Sequence, residues 1–118
     1  MRWLAVTIWL AACAGTSAQA QLANPASEHC VASGGKLRIE ENPRGKYGVC
    51  ILADDRQCEE WALYLGQCPA NGLMVTGFRT AAARFCAITG GLYDEGGFCT
   101  LPNGKACKAD AYYLGTCT

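Results

Sequence analysis

The sequence predicts a small, disulfide-rich α+β fold made of two tandem αββα repeats. Three observations predict it. The cysteines repeat: Cys50, Cys58 and Cys68 are spaced as Cys99, Cys107 and Cys117, and Cys30 and Cys86 precede them. The residues between them repeat too, with Ala62, Tyr64-Leu65-Gly66 matched by Ala111, Tyr113-Leu114-Gly115. Helix caps alternate with strand patterns in the same order in both copies. The chain divides into a targeting segment (1–20), a first four-cysteine repeat (21–68), a linker (69–78) and a second repeat (79–118).

The first segment has Arg2 as its only charge, an apolar run from Trp3 to Gly15, and a small-x-small site at Ala18-Gln19-Ala20. It predicts cleavage after Ala20 and export, periplasmic or secreted. A second reading takes Leu10-Ala11-Ala12-Cys13 as a lipobox, with Cys13 lipidated and the protein anchored to a membrane. Either cut leaves eight cysteines to pair.

In the first repeat Asn24 is a good helix N-cap and Pro25 suits the first helical position, so a short helix is expected to about Ala32. Gly34-Gly35 ends it, one glycine in the left-handed cap conformation. Lys36 to Glu40 alternates polar and apolar as a half-buried strand does. Asn42-Pro43-Arg44-Gly45 is a turn, and Tyr47 to Leu52 the returning strand. Asp54-Asp55 turns the chain again and can cap a helix from Cys58 to Leu65. On that helix Cys58, Trp61, Ala62 and Leu65 share one face.

The second repeat follows the same order. Thr80 caps a helix through Ile88, and Gly90-Gly91 ends it. Leu92-Tyr93 and Phe98 to Leu101 make a tighter hairpin. A helix runs from about Ala106 to Leu114, with Gly115 as its cap. Leu73-Met74-Val75 in the linker reads as a short bridging strand.

Repeats this short bury too little apolar surface to hold together without staples. An even cysteine count in an exported chain reads as four disulfides, each worth about 2.5–3.5 kcal/mol in the chain-entropy model. Spacing alone leaves the pairing open. Cys30 with Cys50 and Cys58 with Cys68 compete with Cys30–Cys68 and Cys50–Cys58.

Several motif elements together are specific. Asn24-Pro25-Ala26-Ser27, Cys30, Gly34-Gly35, Cys50-x-Leu52-x-Asp54 and Cys58-Glu59-Glu60-Trp61-Ala62 resemble a bacterial domain of unknown function. That domain occurs in small exported proteins and lipoproteins often labelled hemolysin. The resemblance covers 24–68 well and 80–117 more weakly. The first repeat has Ala53 and Asp55 where the family writes Pro and Gly. The second keeps that turn as Leu101-Pro102-Asn103-Gly104 but has Lys108-Ala109-Asp110 in place of Glu-Glu-Trp. Family members with two cysteines keep those matching Cys30 and Cys50. The resemblance therefore implies Cys30–Cys50, Cys58–Cys68, Cys86–Cys99 and Cys107–Cys117.

The chemistry of the chain points away from catalysis. His29 is the only histidine and stands where the second repeat has Phe85, which reads as packing. Glu59 and Glu60 diverge by 100° on a helix and read as first-turn charges rather than an acid/base pair. There is no Cys-x₂₋₄-Cys knuckle for zinc. Neither a metal nor a cofactor is expected. Removing residues 1–20 takes away Arg2 alone, leaving nine basic against ten acidic side chains and no block of like charge. That argues against nucleic acid as a partner. No later stretch is long or amphipathic enough to span a membrane, which argues against pore formation.

Binding remains. Tyr64 and Tyr113 are equivalent, with Leu63 and Tyr112 beside them. By helical arithmetic all four point away from the cysteine face. They either pack the repeats around a pseudo-twofold axis or form an exposed patch; repeats this small need a shared core, which favours packing. Trp61 reads as core, and Arg38, Arg44 and Lys46 as a solvated hairpin tip. Trp61, Tyr64, Tyr112 and Tyr113 are the candidate binding residues, for an unknown protein or envelope component. A small inhibitor of a protease or lysozyme is the alternative, with the Cys50–Cys58 loop or the Asn42–Lys46 tip as its rigid loop.

Overall fold

The computed structural model describes Ala5 and residues 24–117. The expected cleavage site after Ala20 and the lipidation candidate Cys13 lie outside the described residues.

The molecule is α+β, with two three-stranded antiparallel sheets and helices packed on them. Helix α1 spans Pro25–Ala32. Asn24 caps it by accepting the N–H groups of Ala26 and Ser27 at 2.9 and 3.2 Å. Gly34 takes φ +84°, and Gly35 donates its N–H back to the Cys30 carbonyl. Strands β1 (Lys36–Asn42) and β2 (Gly45–Ile51) form a hairpin around Pro43-Arg44. A 3-10 turn (Ala53–Asp55) then leads into β3 (Gln57–Glu59), which pairs with β2, and into α2 (Glu60–Tyr64).

The second half runs α3 (Ala81–Ile88), β4 (Leu92–Tyr93), β5 (Phe98–Thr100), β6 (Ala106–Lys108) and α4 (Ala109–Leu114). Thr80 caps α3 through the Ala83 N–H, and Gly115 ends α4 at φ +82°. Gly90 and Gly91 repeat the earlier glycine pair, with Gly90 at φ +92° and Gly91 donating to the Cys86 carbonyl.

Each half has three strands, where two were expected. The residues read as the start of each second helix, Cys58-Glu59 and Ala106 to Lys108, form edge strands instead. Pairing Cys50 with Cys58 and Cys99 with Cys107 satisfies backbone groups of the central strand that a helix would leave open. Asp54-Asp55 therefore caps no helix; Glu59 caps α2 by accepting the Ala62 N–H at 2.9 Å. The linker's Leu73 forms an isolated bridge to Gln57 rather than a strand.

The four disulfides are Cys30–Cys50, Cys58–Cys68, Cys86–Cys99 and Cys107–Cys117. Cys30, Cys50 and Cys58 are fully buried with Ala62 and Leu63, and Cys86 and Cys99 with Ala82 and Ala109. The sulfurs fill the space an aliphatic core would occupy. The helix-to-sheet bridge in each half presses against a glycine. A Cβ on Gly35 would collide with the Cys50 sulfur, and one on Gly91 would lie 2.5 Å from that of Cys99. The second glycine of each pair thus makes room for a disulfide, while the first supplies the left-handed turn.

The shift from helix to strand also rephases α2. Leu63 lies in the cystine core, not away from it, while Trp61 and Leu65 are exposed. A strand advances side chains by half a turn per residue and a helix by 100°, so a face counted from Cys58 comes out wrong.

Candidate functional site

Phe85 is the hub where the halves meet. It is buried, and the rings of Tyr47, Tyr112 and Tyr113 pack around it at 5.0, 5.1 and 5.6 Å between centroids. Tyr47 reaches it from β2, so the long hairpin of the first half is clamped onto α3 and α4 of the second. Burial and a hydrogen bond to Glu40 push the Tyr47 phenol well above its ordinary range, so it stays neutral at any physiological pH.

Beside this hub the halves leave a cleft of about 350 Å³. The hairpin tip gives it Asn42, Arg44 and Lys46; the β3–α2 junction gives Glu59 and Trp61; Gln67, Thr89 and Tyr112 close it. Tyr112 is held in place: its hydroxyl donates to Thr89 Oγ1 at 3.0 Å, and Thr89 in turn donates to the carbonyls of Phe85 and Cys86.

Arg44 is exposed, as expected of a hairpin tip residue, yet it does not project freely. Its stem rests on Gly115, where a Cβ would come within 2.9 Å of Cγ. Its guanidinium lies over the rings of Tyr112 (4.9 Å) and Phe85 (5.6 Å). Among the described residues it makes no ion pair and no side-chain hydrogen bond. Asn42 is only 8 % exposed. Its Oδ1 accepts the Arg44 N–H at 2.8 Å, which fixes the amide, and its Nδ2 is buried without a partner. Glu59 is half-buried, and desolvation pushes its carboxyl up from the ordinary value, against the pull of backbone N–H groups at the start of α2.

Of the sequence-derived candidates, Trp61 and Tyr112 line the cleft. Tyr64 does not. It is 45 % exposed and contacts Trp61 and His29 edge-on at 5.9 and 5.7 Å on the outer face. Tyr113 packs on Phe85 and lines a separate hollow with Glu40 and Arg84. Trp61 is 42 % exposed, so it is not a core residue. Two equivalent tyrosines thus have different surroundings, because their helix neighbours are His29 in one half and Phe85 in the other. Asn42, Arg44 and Glu59 were missed as cleft residues. The one local hint was the turn-forming Asn at the hairpin tip, which says nothing of what the tip packs against.

Glu60 lies outside the cleft and has a different task. It is 6 % exposed, it accepts hydrogen bonds from Ser27 Oγ (2.5 Å) and Asn24 Nδ2 (3.4 Å), and it lies directly on Gly48. The Asn-Pro-Ala-Ser and Glu-Glu-Trp elements meet in this contact, which locks α1 to α2.

The eight described cysteines are all consumed by disulfides, and among the described residues no group of His, Cys, Asp or Glu is placed to hold a metal ion. Nor is any described helix long and apolar enough to cross a membrane. The family described as a domain of unknown function (DUF333) matches residues 21–67. No curated protein and no solved structure matches the chain.

Proposed function

We propose that the protein is an exported, non-enzymatic binding module whose ligand site is the cleft between its halves. The observation that carries this is the Arg44 guanidinium, which no described group pairs, at one wall of a cleft that Trp61 also lines. Preorganised polar groups in a concave site are what ligand recognition needs. Four disulfides in so short a chain fit an oxidising, exported setting. They also stiffen each of the two halves that wall the cleft.

The second half reads as a degenerate copy of the first. Its helices and strands follow the same order and its disulfides join equivalent cysteines. It contributes walls rather than a second site. The inhibitor reading gains nothing specific: the Asn42–Lys46 tip packs against the second half through Arg44 instead of projecting as a free loop.

Two measurements test the proposal. The intact mass of the natively exported protein, before and after reduction and alkylation, should show eight hydrogens lost to four disulfides. Free thiols would sink the stapled-module reading. An amide NMR titration with the low-mass fraction of a host envelope extract should move the resonances of Arg44, Trp61 and Gln67, and leave the extract chemically unchanged. Shifts confined to other surfaces, or new products in the extract, would refute a binding cleft or a non-enzyme respectively.

A further inference from the structure

We infer that the cleft takes a carboxylate-bearing saccharide, with Arg44 meeting the carboxylate and Trp61 the face of the sugar ring. This rests on the reading of the cleft as a ligand site. The Arg44 guanidinium is positioned by two aromatic rings that do not neutralise it, and its fork of N–H groups is free among the described residues. Asn42 Nδ2 is a buried donor left over once Oδ1 has taken the Arg44 N–H. The group that matches a guanidinium fork accepts only, is planar, and carries negative charge: a carboxylate.

A phosphate monoester is the obvious competitor. Glu59 lines the same cleft, and its carboxylate opposes a second negative charge on the ligand. The rest of the ligand follows from the other wall. Trp61 offers a half-exposed ring held edge-on by Tyr64. Gln67 and Glu59 offer hydrogen-bond partners nearby. A flat aromatic surface flanked by amide and carboxyl groups suits a ring that is apolar on its faces and hydroxylated at its edge. At about 350 Å³ the cleft is at the small end of ligand sites, with room for one or two sugar rings and not for a folded partner.

Either export cut leaves Trp61 as the only tryptophan, since Trp3 and Trp9 precede both. Its fluorescence therefore reports on the cleft alone. The exported protein is titrated with glucuronate, glucose, glucose 6-phosphate and acetate. A saturable change with glucuronate is expected, at least tenfold weaker with glucose and with acetate, and weaker with the phosphate ester. Arg44→Gln should weaken glucuronate tenfold or more, and Arg44→Lys by less, with the unfolding midpoint of each variant showing that it folds. Equal binding of glucose and glucuronate, a preference for the phosphate ester, or an unchanged affinity in Arg44→Gln would overturn the assignment. If cleft resonances respond to the envelope extract but Trp61 responds to none of the four probes, the saccharide inference fails and the binding cleft stands. If neither responds, both fail.

Discussion

The two halves join the same pair of helices by opposite chemistry. In the first, a buried carboxylate does it: Glu60 lies on Gly48 and takes hydrogen bonds from Ser27 and Asn24. In the second, the equivalent positions to Ser27 and Glu60 are Ala83 and Ala109, both buried. The tight turn before the third strand differs likewise. Asp55 holds φ +59° where Gly104 holds φ +88°. The disulfide that ties the first helix to the sheet spans 20 residues in one half and 13 in the other. The seven extra residues lie in the hairpin, and that hairpin reaches Phe85 and makes the cleft. The cystines and glycine pairs are common to both halves. The contacts around them differ, so the scaffold tolerates either a polar or an apolar junction.

The largest effect should come from the cystines. Replacing Cys30 and Cys50 with Ala, or Cys86 and Cys99, should cost about 2–5 kcal/mol in denaturant unfolding. The loop lengths alone separate the two by only about 0.4 kcal/mol. A far larger loss from one pair would mean that one half supports the other. Next is the polar junction. Glu60→Ala should cost about 2–4 kcal/mol, from lost charged hydrogen bonds and a cavity. Adding Ser27→Ala, which imitates the second half, should cost little more; additive losses would show that the two side chains act independently.

Exchanging the turn residues gives a smaller effect of opposite signs. Asp55→Gly should gain up to about 1 kcal/mol by relieving a left-handed non-glycine, and Gly104→Asp should lose about as much. Thermal midpoints measure both. Tyr112→Phe should lose about 1 kcal/mol with its bond to Thr89. Tyr113→Phe should stay within about 0.5 kcal/mol, a contrast that would vanish if the two rings played the same part.

The smallest effect is a pH dependence. Burial raises the Glu59 carboxyl above its ordinary 4.5, so the folded chain holds that proton longer than the unfolded one. Its contribution to stability is complete below pH 4.5 and declines as pH rises through the folded value. Glu59→Gln should flatten that decline while the amide oxygen still caps α2. Unfolding midpoints across mildly acid to neutral pH decide it, and an unaltered slope in the Gln variant would refute the assignment.

What could be read locally was the punctuation. The Asn24 and Thr80 caps, the left-handed Gly34 and Gly90, the first helices and the first hairpin follow from chemistry within a few residues of chain. The α+β class followed from their order. The third strands were not legible, because Gln57–Glu59 and Ala106–Lys108 carry no strand signal of their own and are extended only by pairing with the middle strand. That non-local pairing set where α2 begins, and so decided that Leu63 is buried and Trp61 exposed. The same holds for Arg44, an exposed turn residue both by sequence and in the fold, which becomes a cleft wall only when Phe85 and Tyr112 come beneath it. Sequence alone determined the staples and breaks, because cysteine count, caps and glycine act over a single turn. The tertiary structure decided which side chains face one another across the halves, because that depends on strand pairing and packing between residues far apart in the chain.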